Sequence, residues 1–191
     1  MSIRNTIILV CVLELFIAAL AVNNFGYTLE GLQAVTRYSG RLSLGIFSII
    51  FILLPGHEAR ASGILSPKPF HIFALTHGIH LLQLLTYVYL SGNELIPVRL
   101  AGGFLAYIFI FAMPVIHHYN ETGKINDQKF RWAQSVYLYY VWFIFFMSYL
   151  PRVQGKLTNI GGSYWEFVVL LCWVCMLLGM KLPAMLFRQR K

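Results

Sequence analysis

The sequence predicts an all-α, membrane-embedded bundle, and three observations carry that expectation. Of its 191 residues, 58% are hydrophobic and only 12% charged, against roughly 25% charged in an ordinary soluble domain. The apolar residues gather in runs close to the roughly 20 residues that a helix needs to cross a bilayer. Helix breakers sit between the runs: Asn23-Asn24 with Gly26, Pro55-Gly56, Pro67 with Pro69, Gly92-Asn93 with Pro97, Gly123, Pro151, Gly155 and Gly161-Gly162. Six transmembrane helices follow, at about 5–24, 40–56, 70–90, 98–116, 132–151 and 164–186, in a single domain covering 1–191. No stretch outside these runs is long enough for a soluble domain, and there is no internal repeat or low-complexity tract.

Charge orients the bundle. Ten of the 15 Lys and Arg residues fall at the amino terminus, in the second and fourth connections and in the tail. The other five, Arg37, Arg41, Arg99, Arg152 and Lys156, fall on the opposite side. The positive-inside rule therefore predicts both termini in the cytoplasm, in a multi-pass protein of the bacterial inner (plasma) membrane. The formal charge of +8 is then a matter of topology and of contact with anionic membrane lipid, and no nucleic-acid partner is expected.

The first run, Thr6–Val22 after Ser2-Ile-Arg-Asn, resembles a secretory signal, and Ala19-Leu-Ala21 imitates a cleavage site. It is too long for one and contains Glu14, so a retained first helix is expected. Glu14 reads as a hydrogen-bonded structural acid, with a proton-relay group as the other reading. The third run carries the chemistry. At 100° per residue Thr76, His77, His80, Gln83 and Tyr87 share a stripe roughly 120° wide, while Leu75, Ile79 and Leu82 point elsewhere. Ionisable groups at that depth face a bundle interior or a cofactor, so His77 and His80 are expected to act as ligands rather than as neutral, hydrogen-bonded core residues. In the fourth run, Gly102-Gly103 with Ala106 allow a helix or a flat ring to come close. His117 and His118 end that run; His117 is the one expected to reach inward, with His118, His57 and His71 left to interface or loop. Gln134, Tyr137 and Ser148 share a face of the fifth run. In the sixth, Cys172-Trp-Val-Cys175 lies mid-helix, away from the water-exposed helix start that activates a thiol pair. With Cys11 also in an apolar run, neither a disulfide scaffold nor a redox motif is expected.

Haem is the cofactor that best accounts for histidine inside an apolar helical bundle, because neutral imidazole is a good axial ligand and the macrocycle favours apolar walls. His77 or His80 would hold the metal. A metal without porphyrin lacks a convergent third ligand on the same helix. Arg37, Arg41 and Arg131 lie at membrane edges where they can meet propionates; Arg131, on the His77 side of the predicted bilayer, is preferred.

Several segments then resemble the ferric-reductase-like transmembrane superfamily, the six-helix cytochrome b module of NADPH oxidases, metalloreductases and the haem subunit of bacterial methionine sulfoxide reductase systems. They are Thr36-Arg-Tyr-Ser-Gly-Arg-Leu-Ser43, Phe73-Ala-Leu-Thr-His-Gly-Ile-His-Leu81, Arg99-Leu-Ala-Gly-Gly-Phe-Leu-Ala-Tyr107, Leu138-Tyr-Tyr-Val-Trp-Phe-Ile-Phe145 and Tyr149-Leu-Pro-Arg152. The resemblance implies haem b between the third and fifth helices. Where its members carry a histidine before the Leu-Tyr-Tyr run, this chain has Gln134, and an amide is a poor haem ligand. His117 is then the candidate second axial ligand; five-coordination on His77 or His80 and loss of the haem are the alternatives. The expected function is a cytochrome b-like one-electron carrier, possible haem subunit of a membrane oxidoreductase, fed by a quinol or a partner protein because no flavin or nicotinamide domain is visible. The second reading is a haem-free, non-catalytic accessory subunit that keeps the fold.

Overall fold

The computed structural model describes residues 2–54, 58–92, 97–157 and 161–188; the side chains of 58–59, 62, 97–101 and 182–188 fall outside that description. His57, the Pro55-Gly56 turn and the basic tail residues Arg190 and Lys191 lie outside the described residues. Every regular element among the described residues is an α-helix: α1 Ile3–Phe25, α2 Leu29–Leu53, α3 Glu58–Ile64, α4 Pro69–Ser91, α5 Pro97–Glu121, α6 Asp127–Val153 and α7 Tyr164–Arg188. Five stretches are long and apolar enough to cross a membrane, in α1, α4, α5, α6 and α7, which makes this a multi-pass membrane protein. The sixth long helix, α2, has the length at 25 residues but carries Arg37 and Arg41 among its apolar residues.

Three boundaries differ from the sequence expectation for local reasons. α2 begins at Leu29, not near 40, because Thr28 caps it: its side chain accepts from the Gly31 N–H at 3.1 Å, and Glu30 occupies the first turn. α5 runs through Pro114 to Glu121, which places His117 and His118 inside its last turns. There the chain turns at Gly123, whose φ of 70° is the left-handed geometry that glycine adopts without strain. α6 begins at Asp127 behind the Asn126 cap and holds Pro151 in its last turn, so Arg152 remains on the helix. A short helix, α3, occupies the connection expected to be irregular, and His71, assigned to a loop by sequence, lies in the first turn of α4.

The long helices are organised around α2, which touches α1, α4, α6 and α7, while α5 lies between α4 and α6. The Phe47 ring of α2 is the hub, with centroids 5.5 Å from Phe73 of α4 and 5.3 Å from Phe145 of α6. α1 buries only Thr6, Val10, Glu14 and Ala21, a spacing of one face of a helix. Its other faces expose Val12, Leu15 and Phe16, as a lipid-facing helix requires. Lipid supplies no hydrophobic drive between helices, so interhelical hydrogen bonds and close contact hold such a bundle. Lys181, counted by sequence with the tail, is buried within α7, and its ammonium donates to the carbonyls of Phe51, at 2.6 Å, and Leu54 at the end of α2. A cation there satisfies carbonyls that the helix itself leaves without donors.

Candidate cofactor site

The predicted stripe on α4 faces the interior along its whole length. Thr76 is fully buried and returns its hydroxyl to the Ile72 carbonyl at 2.9 Å. His77 and His80 line a cavity of ≈ 250 Å³ bounded by α2, α4, α5, α6 and Phe167 of α7. Gln83 donates to Glu14 at 3.2 Å, and Tyr87 accepts from Gln33 at 2.8 Å. Leu82, off the stripe, is exposed.

The two imidazoles sit among aromatic rings. His77 lies with centroids 5.2 Å from Phe73, 5.2 Å from His80, 5.1 Å from Tyr107 and 5.8 Å from Phe145. His80 rests on Gly40 of α2, where a Cβ would meet its Cε1 at 3.1 Å; the ring also approaches the Thr36 carbonyl. The Nδ1 atoms of both histidines are buried without hydrogen-bond partners, which is uncommon for buried polar groups.

Because Gly40 touches His80, its neighbours Arg37 and Arg41 come to the same level and line the cavity, together with Arg152 of α6. Arg41 pairs with Glu166 of α7 at 2.8 Å, and Arg152 donates to the Ser148 carbonyl. Arg37 Nε is buried without a partner. The connection before α7 covers Arg37: a Cβ on Gly161 would run into its guanidinium and the Gln33 amide, and Gly161 and Gly162 have φ of 56° and 88°. On the far wall Gly103, Ala106 and Tyr107 present α5 to the cavity. Gly102 instead serves the contact between α5 and α6, its carbonyl accepting from the Tyr140 hydroxyl at 3.1 Å.

The remaining sequence candidates lie elsewhere. His117 is ten residues along α5 from Tyr107, about 15 Å at the helical rise of 1.5 Å per residue. It packs against Phe70 and Phe130, with Nδ1 3.9 Å from Glu121. Gln134 is 2% exposed and precedes Phe145, the α6 ring against His77, by eleven residues, or about 16 Å. Arg131 is exposed at the start of α6. None of the three lines the cavity, so the site brings His77 and His80 together with Arg37, Arg41 and Arg152 instead. The sequence offers Arg37 and Arg41 as propionate partners but favours Arg131, which does not line the cavity. Arg152 was missed because Pro151 reads as a helix end, although a proline in the last turn removes little from a helix that is already finishing. Cys11, Cys172 and Cys175 are free and exposed on their helices.

These residues fit haem in one of its two expected modes. Imidazoles in the cavity wall, small residues on two walls and guanidinium groups for the carboxylates match a haem held by one histidine. Among the described residues no second imidazole lines the cavity opposite the α4 pair, so two-histidine ligation does not fit. The cavity volume lies just below the usual range of small-molecule sites, about 300–1,000 Å³. The long arginine side chains are the part of the lining with most freedom to open it.

The class so defined is a multi-pass helical membrane protein with an interior cavity lined by imidazole and guanidinium groups. Comparison with protein-family models, with curated proteins and with solved structures finds no match.

Proposed function

We propose that this chain is a divergent ferric-reductase-like membrane cytochrome b, holding one haem in the cavity beside α4 and carrying single electrons to or from a quinol or a partner protein. In this reading α2 crosses the bilayer as the sixth span and both termini are cytoplasmic. The observation that carries the proposal is the coincidence of two unmet needs in one cavity. The buried Nδ1 atoms of His77 and His80 lack hydrogen-bond partners, and of the three guanidinium groups lining the cavity only Arg41 has an ion pair among the described residues, with Glu166. Uncompensated cations in a bilayer-bounded interior are costly, and a ligand with two carboxylates removes that cost. Haem supplies a one-electron couple when bound. His77 or His80 holds the iron, Arg37 and Arg152 receive the carboxylates, Gly103 and Ala106 leave room for a flat ring, and the Phe73, Tyr107 and Phe145 rings exclude water.

A second reading, a haem-free accessory subunit, draws on the missing opposite imidazole and on Gln134, which stands where the resembling family has a histidine. An optical spectrum of detergent-purified protein from haem-replete cells separates the two. A dithionite-reduced Soret and α-band that is lost in His77→Ala or His80→Ala supports the cytochrome; a colourless protein leaves the accessory subunit.

A further inference from the structure

Glu14 stands one layer behind the cavity. It is the buried carboxyl of an otherwise lipid-facing helix, 5% exposed. Its Oε1 accepts from Ser39 Oγ at 2.9 Å and its Oε2 from Gln83 Nε2 at 3.2 Å. Both partners adjoin the imidazole: Ser39 precedes Gly40, on which His80 rests, and Gln83 lies on the His80 stripe three residues on. The polar file continues in the other direction. Tyr87, one turn beyond Gln83 on the same stripe, accepts from Gln33 at 2.8 Å, and Gln33 meets the Gly161 connection that covers Arg37. Gln83 Oε1 is buried without a partner, so no hydrogen bond joins it to Tyr87.

A carboxyl at bilayer depth calls for a functional account in which its partner is named. Two helices approach α1. From α2 the titratable and charged groups are Tyr38, whose ring packs beneath Arg41, and Arg37 and Arg41, which turn into the cavity. From α4 they are His80 and Tyr87. Among the described residues no cation is bonded to Glu14: both its partners are neutral donors, which favour the carboxylate, while the same Gln83 amide carries an unpartnered oxygen able to accept from the acid. Such an arrangement lets the group change protonation without breaking its surroundings.

We propose that Glu14 is the proton acceptor that balances charge arriving in the cavity, exchanging its proton past the Gln83 amide. One electron from a quinol-class or artificial donor reduces the cavity-bound group by one. One proton from water then forms an O–H bond on the Glu14 carboxylate, so the net charge inside the membrane is unchanged. Oxidation returns both. The electron half of this inference rests on the haem reading above; the proton half does not.

The test therefore has two arms. In the first, purified haem-loaded protein is titrated potentiometrically at several pH values with the reduced α-band as readout. In wild type the reduction equilibrium weakens about tenfold for each pH unit over the range in which electron and proton uptake are coupled, as one proton per electron requires. In Glu14→Gln it is flat, and in Glu14→Asp the slope returns. A flat wild-type profile, or an unchanged slope in Glu14→Gln, overturns the proposal. In the second arm, haem-free protein is followed by infrared spectroscopy in H₂O and D₂O. The carboxyl C=O band absent from Glu14→Gln grows reversibly as pH falls, shifts in D₂O, and exchanges at least tenfold more slowly in Gln83→Leu. A band insensitive to pH and D₂O overturns the proposal, as does a Gln83→Leu protein that exchanges at the wild-type rate. A protein that binds no haem but passes the second arm removes the cytochrome reading and keeps Glu14 as a membrane-embedded proton exchanger.

Discussion

Replacing Glu14 by leucine and by glutamine separates a hydrogen-bonded polar knot from a simple helix contact. Leucine removes the acceptor of both Ser39 Oγ and Gln83 Nε2, and it leaves the Gln83 amide unpaired at both ends, since its Oε1 already lacks a partner. A side-chain hydrogen bond between membrane helices contributes about 0.6 kcal/mol on average and up to about 1.7. Two such bonds amount to about 1–3 kcal/mol, which for a chain of this length lowers Tm by about 3–10 °C. Glutamine behaves differently. Its carbonyl keeps one bond and its amide donates to Gln83 Oε1, so its stability is expected within about 1 kcal/mol of wild type. The assay is thermal or denaturant unfolding of each variant in the same detergent micelle. Leucine and glutamine variants of equal stability, whether both wild-type-like or both destabilised, would refute the reasoning.

Four further outcomes follow from other contacts. Gly161→Ala forces a left-handed backbone on a side chain that meets Arg37 and Gln33; a loss of at least about 1–2 kcal/mol in unfolding free energy is expected. Lys181→Met leaves the Phe51 and Leu54 carbonyls without their ammonium donor, and denaturant unfolding should show a loss of about 1–3 kcal/mol or more. Arg41→Ala breaks a pair whose side chains are 25% and 41% exposed, so its effect on unfolding free energy stays within about 1 kcal/mol, while in Arg37→Ala or Arg152→Ala bound haem, measured by pyridine haemochrome, falls. His117→Ala and Arg131→Ala, remote from the cavity, leave haem content unchanged in that measurement.

Faces were legible in the sequence; levels were not. The α4 stripe follows from 100° per residue alone, and the structure turns Thr76, His77, His80, Gln83 and Tyr87 inward as a set. Which residues of other helices stand beside them depends on how far each helix slides along its axis, and periodicity is silent on that. Hence His117 and Gln134, on plausible inward faces, lie seven residues, about 10 Å, from the nearest cavity-lining residues of their helices, Ile110 and Val141. Arg37 and Arg41 reach it because α2 begins at the Thr28 cap, a signal overshadowed by the polar character of the turns that follow. Arg152 was hidden by Pro151. Glu14 was legible as a buried acid, whereas its partners on α2 and α4 required the fold.

A density map of the purified, haem-replete protein tests the central claim most directly. A planar feature joined to one α4 imidazole, with two arms reaching Arg37 and Arg152 and an open face toward α5, is the predicted result. A cavity closed by side chains, with both imidazoles bonded to neighbouring groups, would contradict it.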